Sequence, residues 1–196
     1  MVITKTFVWA HLPKTAGDMV ATIFSLFPEI VVYSDPLDKP EKHARFSQRP
    51  ELVEGRQRVI NIRRLPAWTL SRAVHKSRHG VAPDFRPGPM DSRETMITSG
   101  AADRTLTNYV ERGTAWPDRW IRTEHLVDDV LALVSEETEV TPAKREQVLA
   151  LRPQNVGQNY ERDLSAWFTD EMIGRMYDHN PLWREAERLA YAAPPQ

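Results

Sequence analysis

Apolar positions fall into two periodicities along the chain. Thr6-Phe7-Val8-Trp9-Ala10-His11 is a short, nearly continuous apolar run and predicts a buried strand. Leu12 to Asp18 contains Pro13 and Gly17 and predicts a turn. Met19, Val20, Ile23, Phe24 and Phe27 then recur at helical spacing, with Pro28 as the stop. Ile30–Tyr33 and Arg58–Arg63 predict a second and a third strand, and Pro66 suits the first turn of a helix running to about Lys76. Asp118–Arg122 predicts a fourth strand.

Further helices are expected over Ala102–Arg112, Glu124–Ser135, from Thr141-Pro142 onward with Thr141 as N-cap, over Leu164–Tyr177 and over Leu182–Ala192. Residues 34–57 read as a long polar connection with at most a short helix. Residues 77–101, rich in proline and glycine, read as a long loop of the kind that serves as a lid, and 152–162 as another loop. Strands alternating with helices predict one α/β domain over 1–196, a three-layer sandwich with a mostly parallel sheet. Ligands of such sheets bind beyond the carboxyl ends of the strands. That rule points to residues 11–19, 34–43, 63–71 and 122–125.

Composition narrows the chemistry. With 196 residues the chain is long enough for one real core. The net charge of −1 gives no global field for nucleic acid or anionic membrane, so any anion site must be a local basic pocket. The absence of cysteine excludes disulfides and thiolate chemistry and agrees with a cytoplasmic location. Met19–Phe27, the most apolar stretch, is too short for a membrane span, which needs about 20 apolar residues. His75 and His79 are four apart on a helix, but Lys76 and Arg78 would repel a cation, so no metal is expected. Trp68, Trp167, Phe168 and Trp183 read as core; Trp116 and Trp120 fit either core or an acceptor pocket.

Two segments carry candidate chemistry. Lys14, Thr15, Ala16 and Gly17 sit on a strand–turn–helix. Backbone amides, the helix dipole and a mobile ammonium can there hold a phosphate or sulfuryl group. The lysine precedes the glycine, unlike the loop of nucleoside-triphosphate binders. Arg63-Arg64 ends the third strand and Ser71 follows on the next helix; a guanidinium fork and a hydroxyl can hold a terminal phosphate from two sides. Taken singly, each segment also fits a plain turn with solvated basic residues.

Pro13-Lys14-Thr15-Ala16-Gly17-Asp18-Met19 resembles the 5′-phosphosulfate loop of sulfotransferases that use 3′-phosphoadenosine 5′-phosphosulfate. Arg63 and Ser71 resemble that family's strand arginine and the serine eight residues later, which hold the 3′-phosphate of the nucleotide. The family's proline two residues after the arginine fits Arg64 and Pro66 instead, so Arg64 is the second choice of register. The resemblance implies a P-loop-like sulfotransferase fold. It also implies that the phosphosulfate nucleotide is co-substrate, and that the acceptor is a sugar, glycolipid or small molecule bearing a hydroxyl or amine. Asp18 and Met19 depart from the pattern, standing where the family has hydroxyl residues; Asp18 would cap the helix, meet a cation or touch the acceptor.

Lys14 would stabilise the transferring charge. By the same resemblance the general base is His43, beside Lys42 and ahead of Arg63, or Asp35 after the second strand. His43 also fits a solvated histidine in a charged run. Arg122-Thr123-Glu124 resembles a later family segment in which the glutamate is structural. Asn155-Val156-Gly157 and Asn159-Tyr160 fall where relatives close a loop over the nucleotide. Two other readings share these features: a phosphoryl-transfer enzyme and a non-catalytic nucleotide-binding protein. The acceptor's identity is not encoded in any readable motif, and a homodimer is left open.

Overall fold

The computed structural model describes residues 1–36, 38–78, 90–110, 116–152 and 160–192. Five strands form one mixed sheet: β1 (Val2–Ile3), β2 (Phe7–Ala10), β3 (Tyr33–Ser34), β4 (Gln57–Ile62) and β5 (Arg119–Arg122). Among the described residues there are nine α-helices: α1 (Gly17–Ser25), α2 (Pro50–Val53), α3 (Leu65–Arg78), α4 (Met90–Thr98), α5 (Ala101–Leu106), α6 (Leu126–Ser135), α7 (Pro142–Leu149), α8 (Asp170–Asp178) and α9 (Pro181–Ala192). None of these helices is long and apolar enough to cross a membrane.

The strand order is β3-β1-β2-β4-β5. β2, β4 and β5 run parallel, whereas β1 pairs antiparallel with both β2 and β3. The sheet is therefore mixed rather than mostly parallel. The reason is local: only a three-residue turn joins β1 to β2, and so short a link permits only an antiparallel hairpin. A two-residue strand leaves no periodic signal, so β1 was not legible in the pattern. The second strand also sits later than the run Ile30–Tyr33 predicts. Ile30 is used as core beneath α1, and pairing begins only at Tyr33.

Side chains alternate across each strand. Phe7, Trp9, Val59 and Ile121 enter one core with Val20, Ile23 and Phe24 of α1 and Val130 and Val134 of α6. Val8, Ala10, Ile60 and Ile62 enter the other, with Trp68 of α3, Ile97 of α4, Leu106 of α5, Met176 of α8 and Trp183 of α9. Both faces of the sheet are thus covered by helices, and Trp68, Trp167, Phe168 and Trp183 are core, as the pattern suggests. Trp116 and Trp120 are only partly buried and pack at the edge of this second core, 6.2 Å apart.

Three helical segments differ from the pattern's expectation. Part of the expected 77–101 loop is helical, because α3 extends to Arg78 and α4 occupies Met90–Thr98. α4 carries few apolar residues, Met96 and Ile97 among them, so it has no periodic stripe to read. The run Leu164–Tyr177 is broken by Thr169, whose hydroxyl caps α8 by accepting from Met172 N at 3.3 Å. α5 ends at Leu106, short of the expected helix end. Thr141 caps α7 as expected, accepting from Lys144 N at 3.3 Å.

One buried polar link joins strand to loop across the sheet. The Trp9 indole N–H donates to Asn61 Oδ1, and Asn61 Nδ2 donates to Thr15 O at 3.0 Å. Asn61 and Thr15 are fully buried. Asn61→Ala is expected to cost about 2–3 kcal/mol, since it orphans a buried indole donor and removes a bond to the loop. Urea unfolding with an unchanged m value would measure it; a variant as stable as wild type would show the link to be idle.

Candidate functional site

β2 ends at Ala10, and the chain turns through residues 11–16 into α1. Lys14 and Ala16 take left-handed backbone conformations, with φ of 68° and 61°, and are the only non-glycine residues among those described to do so. Such conformations cost about 1–3 kcal/mol each and persist only where surroundings enforce them. The surroundings here are a set of donors bonded to the loop's carbonyls. Thr15 Oγ1 donates to Leu12 O at 2.6 Å, Trp68 Nε1 to Pro13 O at 2.9 Å, and Thr123 Oγ1 to Thr15 O at 3.1 Å, beside the Asn61 bond. Tyr109 OH donates to His11 O at 3.1 Å. The carbonyls are engaged by the protein, while the amide hydrogens of Thr15, Ala16 and Gly17 have no acceptor among the described residues. Free amides at the start of a nine-residue helix form an anion cradle.

A cavity of about 490 Å³ opens over this loop. Lys14, Ala16, Gly17, Asp18 and Met19 of the turn and α1 line it, together with Arg63 from the end of β4 and Ser71 of α3. Thr123, Tyr160 and Arg162 are also part of the wall. The site therefore lies where parallel β2, β4 and β5 end, as the topology rule predicts. Of the four predicted regions, 34–43 alone does not line it, because β3 lies at the far edge of the sheet, with β1 between it and β2.

The two arginines after β4 go to different places. Arg63 lines the cavity, has no carboxylate partner among the described residues, and has its guanidinium pKa pushed down by burial. Arg64 turns away to α9, where its Nη1 lies 3.1 Å from Glu187 and its guanidinium stacks 3.6 Å above the Tyr191 ring. The serine spacing therefore identifies the cavity-facing arginine, and the proline spacing does not. Glu124 accepts from Arg64 N at 3.2 Å and from the Tyr191 hydroxyl, a structural role.

Asp35 is not at the cavity. Its buried carboxylate lies 3.0 Å from the Met1 ammonium and 2.7 Å from Arg49, and accepts from Tyr33 OH at 2.8 Å. Those three partners make it a clamp on the β1–β3 edge. His43 comes closer. Its Nδ1 is 3.1 Å from His11 O; a carbonyl only accepts, so Nδ1 carries the hydrogen and Nε2 keeps its lone pair. Its ring lies 4.4 Å from that of His11, and it is His11 that lines the cavity.

His11 lies in a run whose apolar pattern predicts only a buried strand end. The available signal was its position: a histidine at the carboxyl end of a parallel strand falls in the ligand region. Its imidazole is 5.6 Å from Trp9 on its other side and only 4% of the residue is exposed. Its Nδ1 has no hydrogen-bond partner among the described residues, and the Asp18 carboxylate lies 3.9 Å from it. Asp18 in turn accepts from Lys42 Nζ at 2.9 Å. The aspartate that departs from the loop pattern thus meets a cation, one of the roles open to it. Gly157, Asn155, Asn159 and His79 lie outside the described residues.

Burial, and next the neighbouring His43, push the His11 imidazole down to about 3 from its ordinary 6.5; burial lowers His43 as well. Between those two values the unfolded chain binds the proton and the folded one does not. Stability is therefore expected to rise with pH through this window and to be lost as pH falls below about 6.5, by up to about 1.4 kcal/mol per pH unit for His11. Urea midpoints taken from pH 7 down to 4 would show a shallower slope in His11→Gln; equal slopes would refute the assignment. Comparison with models of known protein families, with curated proteins and with solved structures gave no match.

Proposed function

We propose that the protein is a sulfotransferase that moves the sulfuryl group of 3′-phosphoadenosine 5′-phosphosulfate to a hydroxyl or amine of a sugar, glycolipid or small-molecule acceptor. One observation carries the reading. The Lys14 loop and the Arg63–Ser71 pair, distant in sequence, line the same cavity. Basic groups brought to one cavity from two separate segments suit a nucleotide that carries two phosphates. The α/β layering and the resemblance of both segments to the sulfotransferase pattern support it further.

In this reading the amides of Thr15, Ala16 and Gly17 and the Lys14 ammonium take the 5′-phosphosulfate. Arg63 and Ser71 take the 3′-phosphate. The acceptor oxygen attacks sulfur, and the bond from sulfur to the bridging phosphate oxygen breaks. The acceptor's proton leaves to a histidine, and adenosine 3′,5′-bisphosphate departs. Charge collecting on the bridging oxygen is where Lys14 acts. His11 and His43 form the pair available as base, with His11 nearer the reacting atoms. An anion bound beside His11 would raise its proton affinity toward the useful range.

Calorimetric titration tests the binding half. Adenosine 3′,5′-bisphosphate is expected to bind measurably and more tightly than ATP at equal concentration; equal binding of both would favour phosphoryl-transfer chemistry. Turnover with a panel of sugars and phenols tests the rest. His11→Ala should abolish transfer and leave bisphosphate affinity within a few-fold. His43→Ala should slow it less. The reverse ranking would return the base to His43.

A further inference from the structure

Arg63 is one of two arginines among the described residues whose pKa is pushed down by burial; the other is Arg72. Arg72 follows Ser71 on α3 but faces a different cavity, of about 320 Å³, between α3, α4 and α5. Arg104 of α5 lines the same cavity and is close enough to repel Arg72. Neither forms an ion pair among the described residues. Asp103, the nearest acid in sequence, is already used: its oxygens accept from Leu182 N at 3.0 Å and Trp183 N at 2.8 Å at the start of α9. Most other described arginines that are not fully exposed answer a carboxylate or a carbonyl.

Arg72 is partly buried and Arg104 exposed at the rim, so the two present positive charge from the wall and the mouth of one cavity, an arrangement that favours a negative group between them. The rest of the lining shows what would fit. The Trp68 ring lies 5.8 Å from the Arg72 guanidinium, and Thr69 and Ser99 bring hydroxyls. Met96 and Ala73 bring apolar surface. We propose that Arg72 and Arg104 form a second, separate anion site, which takes an oxyanion group borne on a small organic body. Ala67, Leu70 and Ser71 face the first cavity and Trp68, Thr69 and Arg72 the second, so α3 stands between the two. The site does not depend on what the first cavity binds.

The test uses the arginine side-chain Nε–H signals of the full chain in a nitrogen–proton spectrum, with Arg72 and Arg104 assigned by loss in Arg72→Lys and Arg104→Lys. Inorganic phosphate is titrated in one arm and glucuronate in another, to separate a free oxyanion from an acidic sugar. The expected result is a saturable, millimolar response of both signals in at least one arm, retained in Arg63→Met. In Arg72→Met the response of Arg104 should weaken tenfold or more, with the remaining spectrum unchanged as proof of folding. A linear, non-saturating shift in both arms would overturn the proposal. So would a response that disappears in Arg63→Met, since the anion would then sit in the first cavity alone. Failure of nucleotide binding in the first cavity would leave this result untouched.

Discussion

Gly17→Ala is expected to lose about 1–3 kcal/mol of stability and most of the anion affinity, although it adds a single methyl group. A Cβ at this position would stand 2.0 Å from His11 Cδ2 and 2.2 Å from His11 Nε2. Neither side can yield cheaply. The imidazole is enclosed by the Trp9 ring at 5.6 Å and the His43 ring at 4.4 Å. Gly17 opens α1, whose first turn is fixed by the bonds from Met19 and Val20 to Ala16 O. A shift of the helix start would misplace the amides of the cradle. The partner variant makes the cause visible. His11→Ala in the Gly17→Ala background removes the obstacle and should restore much of the stability, a coupling energy that a double-mutant cycle by urea unfolding would measure. A Gly17→Ala protein with wild-type stability and affinity would show that the imidazole does not fill this space.

That glycine also marks where sequence reasoning stops. The turn at Leu12–Asp18, the helix after it, the strand at Arg58–Arg63 and the location of the site all follow from apolar periodicity and from the rule for parallel strand ends. The choice of Arg63 over Arg64 follows from the serine spacing alone. What could not be read is anything set by a side chain's distant neighbours. Gly17 reads as room for an anion, whereas the structure fills that room with His11. Asp35 reads as a base after a strand, yet the antiparallel β1–β3 edge carries it to the Met1 ammonium and Arg49. Asp18 reads as a departure from the loop pattern with three roles open to it, and Lys42, from another loop, decides among them by coming within 2.9 Å of it. β1 and α4 escaped for a plainer reason, since two residues or an apolar-poor stretch carry no periodic signal. For Gly17, Asp18 and Asp35, long-range contact rather than local pattern decided the role.

Lys14 and Arg63 separate the two ends of the proposed nucleotide. Lys14 belongs to the loop that carries the free amides of the α1 cradle, while Arg63 and Ser71 reach the same cavity from the end of β4 and from α3. Removing either cation takes away charge-assisted bonds worth about 1.5–3 kcal/mol, or roughly 10- to 150-fold in affinity. The ligand chosen tells the ends apart. Lys14→Ala should weaken adenosine 3′,5′-bisphosphate and adenosine 5′-phosphate alike, because both present the 5′-phosphate. Arg63→Ala should weaken only the bisphosphate, because the monophosphate has nothing for the guanidinium to hold. Arg64→Ala, made as a control, removes a pair with Glu187 that faces α9 and should change neither affinity. In transfer assays Lys14→Ala should lose more than Arg63→Ala, by about 10²–10³ in kcat, since its ammonium meets charge that develops only as the sulfur–oxygen bond breaks. Arg63→Ala acts before chemistry and should appear mainly in KM. An Arg63→Ala protein that lost both nucleotides equally would mean that the guanidinium does not address a 3′-phosphate, and the assignment of the cavity's two ends would fall with it.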